Sequence, residues 1–145
     1  MNDSIDYMMQ FAGVPYIFGG NNPMTGWDCG ALLTEWLKVT GEIPYNADLS
    51  AQMIFDKYER NSTSGLFTRG AIAFYGSEVR KISHVGLLLN SYQMLEAGGG
   101  DHTTTTLEEA KKRGAMTRVR LVHYRKDFIV TLKPSYARIG MSQTN

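Results

Sequence analysis

Cys29 is the single cysteine of this 145-residue chain, and its surroundings suit two different roles. It lies in the stretch GWDCGALLTEW, where apolar residues begin to recur at helical spacing. A free cysteine on such a stripe is often a small hydrophobic core residue. In the first turn of a helix, however, the free N–H groups and the helix dipole favour a thiolate and can stabilise an oxyanion. The residues around Cys29 leave both roles open.

Two further residues have the chemistry to complete a thiol-based site. His84 lies in the apolar run SHVGLLL, and an imidazole is the usual base that accepts a thiol proton and later protonates the leaving amine. Glu96 follows across a turn predicted at Asn90–Ser91, so the two side chains would be cross-strand neighbours in a hairpin. His102 and His123 are interpreted as surface or strand residues. The three residue types of a cysteine hydrolase are therefore present. They can form a site if the fold brings them together.

Three predicted helices come first among the elements that must position these residues. The first has Asp3 or Ser4 as its cap. The second begins at Cys29, because apolar residues recur at i, i+3, i+4, i+7 and i+8 from that position. A third helix is predicted to start after Asn46 or Asp48.

Short runs bounded by Gly, Ser or Asn follow and predict β-strands. They cover residues 71–75, 83–89, 92–97, 116–124 and 128–132, and a capping box at Thr106–Glu109 predicts a short helix. The basic residues of the last strands are interpreted as their solvated face, and they are Arg118, Arg120, Arg125 and Lys126. Helices followed by an antiparallel sheet predict an α+β domain, expected to span residues 1–145.

Composition excludes several classes of function. The net charge of +1 gives no long-range field for nucleic acid or an anionic membrane. No run approaches 18 apolar residues, so membrane insertion is not expected. The acidic N-terminus lacks the features of a signal peptide, which predicts synthesis in the cytoplasm. One cysteine excludes an internal disulfide and a Cys-rich zinc site.

Three blocks of the chain resemble the NlpC/P60 family of cysteine peptidases. Residues 16–20 (YIFGG), Pro23 and residues 26–29 (GWDC) are similar to the family's PYxWGGxxPxxGxDC signature. Residues 83–86 (SHVG) resemble the strand that carries the catalytic histidine, and residues 93–98 (QMLEAG) resemble the next strand, where a polar residue before Ala completes the triad. The blocks occur in the family's order, and the resemblance covers roughly residues 5–125.

The resemblance implies a papain-like α+β fold in which the nucleophile helix packs on a central antiparallel sheet. It implies Cys29 as nucleophile, His84 as base and Glu96 as the residue that orients the imidazole. Tyr16 corresponds to a tyrosine that borders the thiol and helps to bind the reacting carbonyl, and Asp28 to an acidic residue that shapes the loop or contacts substrate.

The chain departs from the family pattern around these residues. Gly30-Ala31 stand where the family usually has Ser-Gly, so a side-chain hydroxyl near the substrate is missing, although Gly30 is still assigned to the substrate and oxyanion region. Ala71 replaces the usual Asp of the family's GDxxFF strand. Glu96 stands where many members have His, and a carboxylate there would raise the pKa of His84 and favour a thiolate–imidazolium pair.

The resemblance implies a hydrolase of peptidoglycan stem peptides that works through an acyl-enzyme, commonly between γ-D-glutamyl and a diamino acid, without metal or cofactor. The missing secretion signal and wall-binding repeats favour delivery by another route. Small stand-alone domains of this family occur in phage tail modules, so the resemblance implies a tail-associated hydrolase that acts at the bacterial cell wall, for which other tail proteins are candidate partners. Two alternatives remain. One is an amidase of the same fold that acts on another γ-glutamyl or amide substrate, and the other is a catalytically silent tail-assembly or binding module.

Overall fold

The computed structural model describes residues 1–136, and three helices precede its main sheet, as predicted. Residues 137–145 of the predicted domain lie outside the described residues. The helices are α1 (Asn2–Met9), α2 (Cys29–Val39), α3 (Ala51–Tyr58) and α4 (Leu107–Arg113). The strands are β1 (Asn21–Asn22), β2 (Gly26–Trp27), β3 (Thr63–Ser64), β4 (Ile72–Glu78), β5 (Lys81–Leu88), β6 (Gln93–Gly98), β7 (Met116–Leu121) and β8 (Phe128–Lys133).

The main sheet has six strands in the order β3-β8-β4-β5-β6-β7, and every neighbouring pair is antiparallel. The larger hydrophobic core lies between this sheet and the helices, and a smaller cluster around Tyr75, Leu88 and Met94 lies on the other face. β1 and β2 form a separate two-stranded ribbon just before α2. The predicted α+β fold with a helix packed on an antiparallel sheet is confirmed.

α2 is the central helix of the core. It starts at Cys29 because the carboxylate of Asp28 accepts a hydrogen bond from the Ala31 N–H at 3.0 Å, which caps the first turn. Leu33 and Trp36 are among its fully buried residues, and the helix packs against β5 and β6. No helix in the described part of the chain is long and apolar enough to cross a membrane.

The predicted start of α3 is wrong by a few residues, and α2 supplies the reason. The Thr34 hydroxyl on α2 accepts a hydrogen bond from the Leu49 N–H and donates one to the Leu49 carbonyl, both at 3.1 Å. These bonds hold Leu49 outside the helix, so Ser50 becomes the cap and accepts from the Met53 N–H at 3.2 Å.

The predicted cap of α1 is also wrong. The helix begins at Asn2, and Met1 occupies the cap position without a side-chain hydrogen bond. The Ile5 N–H bonds to the Met1 carbonyl at 3.0 Å, and Ile5 is buried in the core. Burial of the apolar face of α1, formed by Ile5 and Met8, extends the helix toward the N-terminus past the polar residues that were predicted to cap it.

The predicted solvated face of β7 is wrong for Arg118. Its side chain is 22% exposed, because it lies directly opposite Glu96 in the β6–β7 register and pairs with that carboxylate. The more exposed residues of the strand include the apolar Val119 and Leu121. The strand also ends at Leu121, since residues 122–124 form a 3-10 turn.

The other basic residues predicted on this face divide into two kinds. Arg120 and Lys126 are exposed, as expected. Arg125 is only half-exposed, because its guanidinium pairs with Asp127 at 2.8 Å and lies 5.4 Å from the ring centre of Tyr75. Arg125 therefore anchors the connection between β7 and β8.

Candidate active site

Cys29 lies where the loop of residues 16–28 meets the start of α2. Asp28 joins the two, because one carboxylate oxygen accepts from the Ala31 N–H and the other accepts from the Gly19 N–H at 3.1 Å. Burial raises the pKa of the Asp28 carboxyl. The thiol is buried, with 8% of the residue exposed. Asp28 thus fixes the position of the first helical turn and of the sulfur that it carries.

His84 and Glu96 form a buried pair on the sheet. The distance from His84 Nε2 to Glu96 Oε1 is 2.6 Å, and the residues are 4% and 0% exposed. His84 lies on β5 and Glu96 on β6, neighbouring antiparallel strands in which Leu87 pairs with Leu95 and Leu88 with Met94. The two side chains therefore meet across neighbouring strands of the sheet.

Cys29 affects the pKa of the same imidazole. Burial by itself lowers the pKa of His84, but hydrogen bonds to Cys29 and Glu96 outweigh this effect and raise the pKa to about 9. Because Nε2 bonds to Glu96, Nδ1 is the ring nitrogen left for the thiol. A His84 with this pKa is protonated at neutral pH and can form an ion pair with a thiolate.

Sequence reasoning missed two residues that bind Glu96. Arg118 Nε donates to Oε2 at 3.0 Å, and the Tyr124 hydroxyl lies 3.0 Å from Oε1 and 3.1 Å from Oε2. Burial favours the neutral acid, but the hydrogen bond and charge of His84, followed by Arg118 and Tyr124, lower the pKa of Glu96. Only the β6–β7 register, which places Arg118 opposite Glu96, could have revealed the first of these contacts.

A cleft of about 360 Å³ lies against the thiol. It is lined by residues from the loop, the starts of α2 and α3, and the start of β5: Tyr16, Phe18, Asp28, Cys29, Gly30, Ser50, Ala51, Gln52, Ile82 and Ser83. The three residues predicted to contact substrate, Tyr16, Asp28 and Gly30, all line it. A second cleft of about 280 Å³ shares Asp28 and Ser50 with the first.

Gly30 has a packing role that the sequence pattern does not reveal. A Cβ at this position would lie 2.8 Å from the Leu49 carbonyl oxygen and 3.1 Å from the Ala51 nitrogen. Both atoms belong to the backbone just before and at the start of α3, so they cannot rotate away. The absence of a side chain at Gly30 lets this segment approach the thiol helix and form one wall of the cleft.

Restoring the family's usual residue with Gly30→Ser is expected to harm the protein. The added side chain must displace the Leu49–Ala51 backbone, so we expect a loss of about 1–3 kcal/mol in the free energy of unfolding and lower hydrolytic activity. Thermal denaturation and an activity assay of the purified variant measure both. A Gly30→Ser protein with unchanged stability and equal or greater activity would show that α3 moves aside freely.

The glycine run Gly98-Gly99-Gly100 leaves space for the side chains of two residues of the candidate site. A Cβ at Gly98 would lie 2.5 Å from a carboxylate oxygen of Glu96, and a Cβ at Gly100 would lie 2.5 Å from the ring of Tyr16. Tyr16 is buried beside Cys29, and burial followed by the nearby thiol raises its pKa. These glycines thus leave space for two side chains of the candidate site.

Gly98→Ala is expected to reduce hydrolysis more than it reduces stability. The methyl group must shift the Glu96 carboxylate and lengthen its bond to His84, for an expected loss of about tenfold or more in kcat. Gly114→Ala is a suitable control, because Gly114 caps α4 at φ +65° with open space around it, so alanine there costs about 1 kcal/mol through backbone strain alone. Equal kcat losses in the two variants would contradict this prediction.

A cysteine at the start of a buried helix, packed against an antiparallel sheet that carries a histidine, defines the papain-like class of α+β domains. A sequence model of the NlpC/P60 family matches residues 13–124, which is more than half of the chain. The protein belongs to the NlpC/P60 family.

Named relatives and solved structures agree with this assignment. Over 93 residues the chain is 29% identical to the bifunctional muramidase/DL-endopeptidase CwlT of Bacillus subtilis (strain 168), a match covering 61% of this chain and 26% of that protein. The chain thus spans about a quarter of the length of this curated relative.

The NlpC/p60 domain of the peptidoglycan hydrolase SagA superposes with a TM-score of 0.60 at 20% identity, covering 90% of this chain and 95% of that one. An NlpC/P60 family protein from Bacillus cereus superposes with a TM-score of 0.66 at 16% identity, covering 93% and 39%. At these identities the two structures support the fold.

Proposed function

We propose that this protein is a cysteine hydrolase that cleaves peptide bonds in the stem peptides of bacterial peptidoglycan. The observation that carries the proposal is the buried 2.6 Å pair of His84 and Glu96, together with Cys29, which borders a cleft and helps to raise the pKa of His84. The substrate class is suggested by the relatives, since CwlT is named a DL-endopeptidase and SagA a peptidoglycan hydrolase.

In the proposed mechanism the Cys29 thiolate attacks the carbonyl carbon of the scissile bond. The oxyanion that forms lies near the Tyr16 hydroxyl and the N–H groups at the start of α2, apart from those of Ala31 and Leu32, which already donate to the carboxylate and the carbonyl of Asp28. The His84 imidazolium then donates its proton to the leaving amine, and the C–N bond breaks to give a thioester on Cys29.

The second half of the reaction returns the site to its starting state. Neutral His84 accepts a proton from a water molecule, and the resulting hydroxide attacks the thioester. The carboxylic acid product leaves, and the thiolate–imidazolium pair forms again. Throughout, Glu96 fixes the ring orientation and compensates the positive charge of His84.

Digestion of purified peptidoglycan, with the released fragments analysed by mass spectrometry, tests the proposal. We expect fragments that end in a free γ-D-glutamyl carboxyl, paired with a new amino terminus on the diamino acid. If product is released from a soluble γ-glutamyl amide but not from peptidoglycan, the amidase alternative is favoured. No product from either substrate would contradict the proposed activity and favour a binding or assembly module. The phage-tail setting and tail-protein partners stay predictions from the sequence.

A further inference from the structure

Glu96 is held by more donors than a residue that only orients a histidine needs. Its side chain is completely buried. His84 Nε2 bonds to Oε1, Arg118 Nε donates to Oε2, and the Tyr124 hydroxyl lies within 3.1 Å of both oxygens. Three side chains from three different segments therefore fix the orientation of one carboxylate.

Arg118 also balances the charge of this buried cluster. A Cys29 thiolate, a His84 imidazolium and a Glu96 carboxylate together carry one negative charge, and an uncompensated charge is costly in a buried site. Arg118 contributes the missing positive charge at 3.0 Å from Glu96. With Arg118 included, the reactive form of the site is neutral overall.

Arg120 provides an internal comparison for this role. It lies two residues further along β7, and its guanidinium lies 4.5 Å from the ring centre of Tyr124. It is exposed, and among the contacts of the described residues only Arg118 pairs a guanidinium with Glu96. The two arginines therefore share a neighbour but differ in contact with the carboxylate.

We propose that Arg118 and Tyr124 are positioning residues of the thiol site: both fix the oxygen that Glu96 presents to His84, and Arg118 also supplies the positive charge that balances the ionised cluster. This inference rests on the proposed function. Both residues contact Glu96 and neither lines the cleft against Cys29, so the role inferred for them is exerted through that carboxylate.

The ionisable groups near His84 come from several elements of the described residues. They are Cys29 on α2, Tyr75 on β4, Glu96 on β6, Arg118 on β7, and Tyr124, Arg125 and Asp127 on the connection from β7 to β8. Arg125 and Asp127 neutralise each other, which leaves Arg118 as the cation in direct contact with Glu96. Without that cation the cluster must take up a proton, and the thiolate is the group that reacts with it most readily.

Alkylation of Cys29 measured against pH tests the inference without a substrate. Cys29 is the single thiol of the chain, so the mass added by iodoacetamide reports on this one site. In Arg118→Met we expect the pH at which alkylation becomes fast to rise by about one unit, which slows the reaction about tenfold on the acid side. Arg118→Lys keeps the charge and should restore most of the wild-type profile, and Arg120→Met should leave it unchanged.

Tyr124→Phe tests the orientation of the Glu96 carboxylate without changing the charge of the cluster. It removes a hydroxyl but no charge, so the alkylation profile should stay near that of the wild type. We expect kcat for peptidoglycan hydrolysis to fall several-fold while KM changes little, since the residue does not line the cleft.

The outcomes distinguish this inference from the proposed function. An Arg118→Met profile identical to those of Arg120→Met and the wild type would overturn the role of Arg118. If Arg118→Met does not fold by circular dichroism, Tyr124→Phe decides, and a wild-type kcat in that variant would overturn the inference. A wild-type protein whose Cys29 reacts like an ordinary thiol would instead contradict the proposed function.

Discussion

Replacing Cys29 with alanine is expected to lower kcat/KM for peptidoglycan stem peptides by about 10⁴-fold or more. The loss is large because the thioester cannot form, and the remaining groups of the site offer no other nucleophile in the mechanism proposed here. Alanine is smaller than cysteine and the position borders the cleft, so the fold should tolerate the change. Steady-state hydrolysis and thermal denaturation of the same preparation separate lost chemistry from lost folding.

Cys29→Ser is the matched control for this variant. It keeps the shape of the side chain and a hydroxyl group, but a hydroxyl is much harder to deprotonate than a thiol beside the same imidazole. We therefore expect Cys29→Ser to be almost as inactive as Cys29→Ala. Hydrolysis by either variant at more than one tenth of the wild-type rate would contradict the role of Cys29 as nucleophile.

Replacing His84 with alanine is expected to have the second-largest effect, a loss of about 10³–10⁴-fold in kcat. The variant loses the acid that protonates the leaving amine and the base that activates water. It also loses the positive charge beside Cys29, so alkylation of the thiol near neutral pH should slow as well. Hydrolysis and iodoacetamide reactivity measure these two consequences independently.

His102→Ala is the control for His84→Ala. His102 is exposed on the loop after β6 and does not line the cleft at Cys29, so its loss should leave kcat and alkylation unchanged. Because His84 is buried, His84→Gln should be compared with alanine to separate loss of packing from loss of chemistry. Equal activity of the His84 and His102 variants would contradict the assignment of the base.

Local sequence signals were sufficient for the elements that carry Cys29 and His84. The start of α2 is encoded within a few residues, because Asp28 caps the helix and the apolar stripe begins directly after it. The hairpin that carries His84 and Glu96 is likewise marked by short apolar runs and by a polar turn. The resemblance to a known family then supplied the order of the blocks.

The partners of Glu96 depend on information that no local window contains. Arg118 looks like any solvated strand arginine until the β6–β7 register places it opposite a buried carboxylate. Tyr124 reaches the same carboxylate only because the chain turns after β7. The start of α3 was missed for a similar reason, since a tertiary contact between Thr34 and Leu49 overrides the local cap signals.

Gly30 illustrates how a departure from a family pattern can be misread. From the sequence it looks like a lost hydroxyl, and its consequence is expected in substrate recognition. In the structure it is a point of close backbone approach, which lets the segment before α3 form a wall of the cleft. Ser50 lies in that segment and lines the cleft with its neighbours.

The protonation state of His84 tests the proposed thiolate–imidazolium pair most directly. NMR titration of the ring, assigned by comparison with His84→Gln, should show an imidazolium at pH 7.5 with a pKa of about 9. In Cys29→Ala the pKa should fall, because the hydrogen bond and charge from the thiolate are lost while Glu96 remains. A wild-type His84 that titrates near 6.5, or one that does not respond to the loss of Cys29, would contradict the pair.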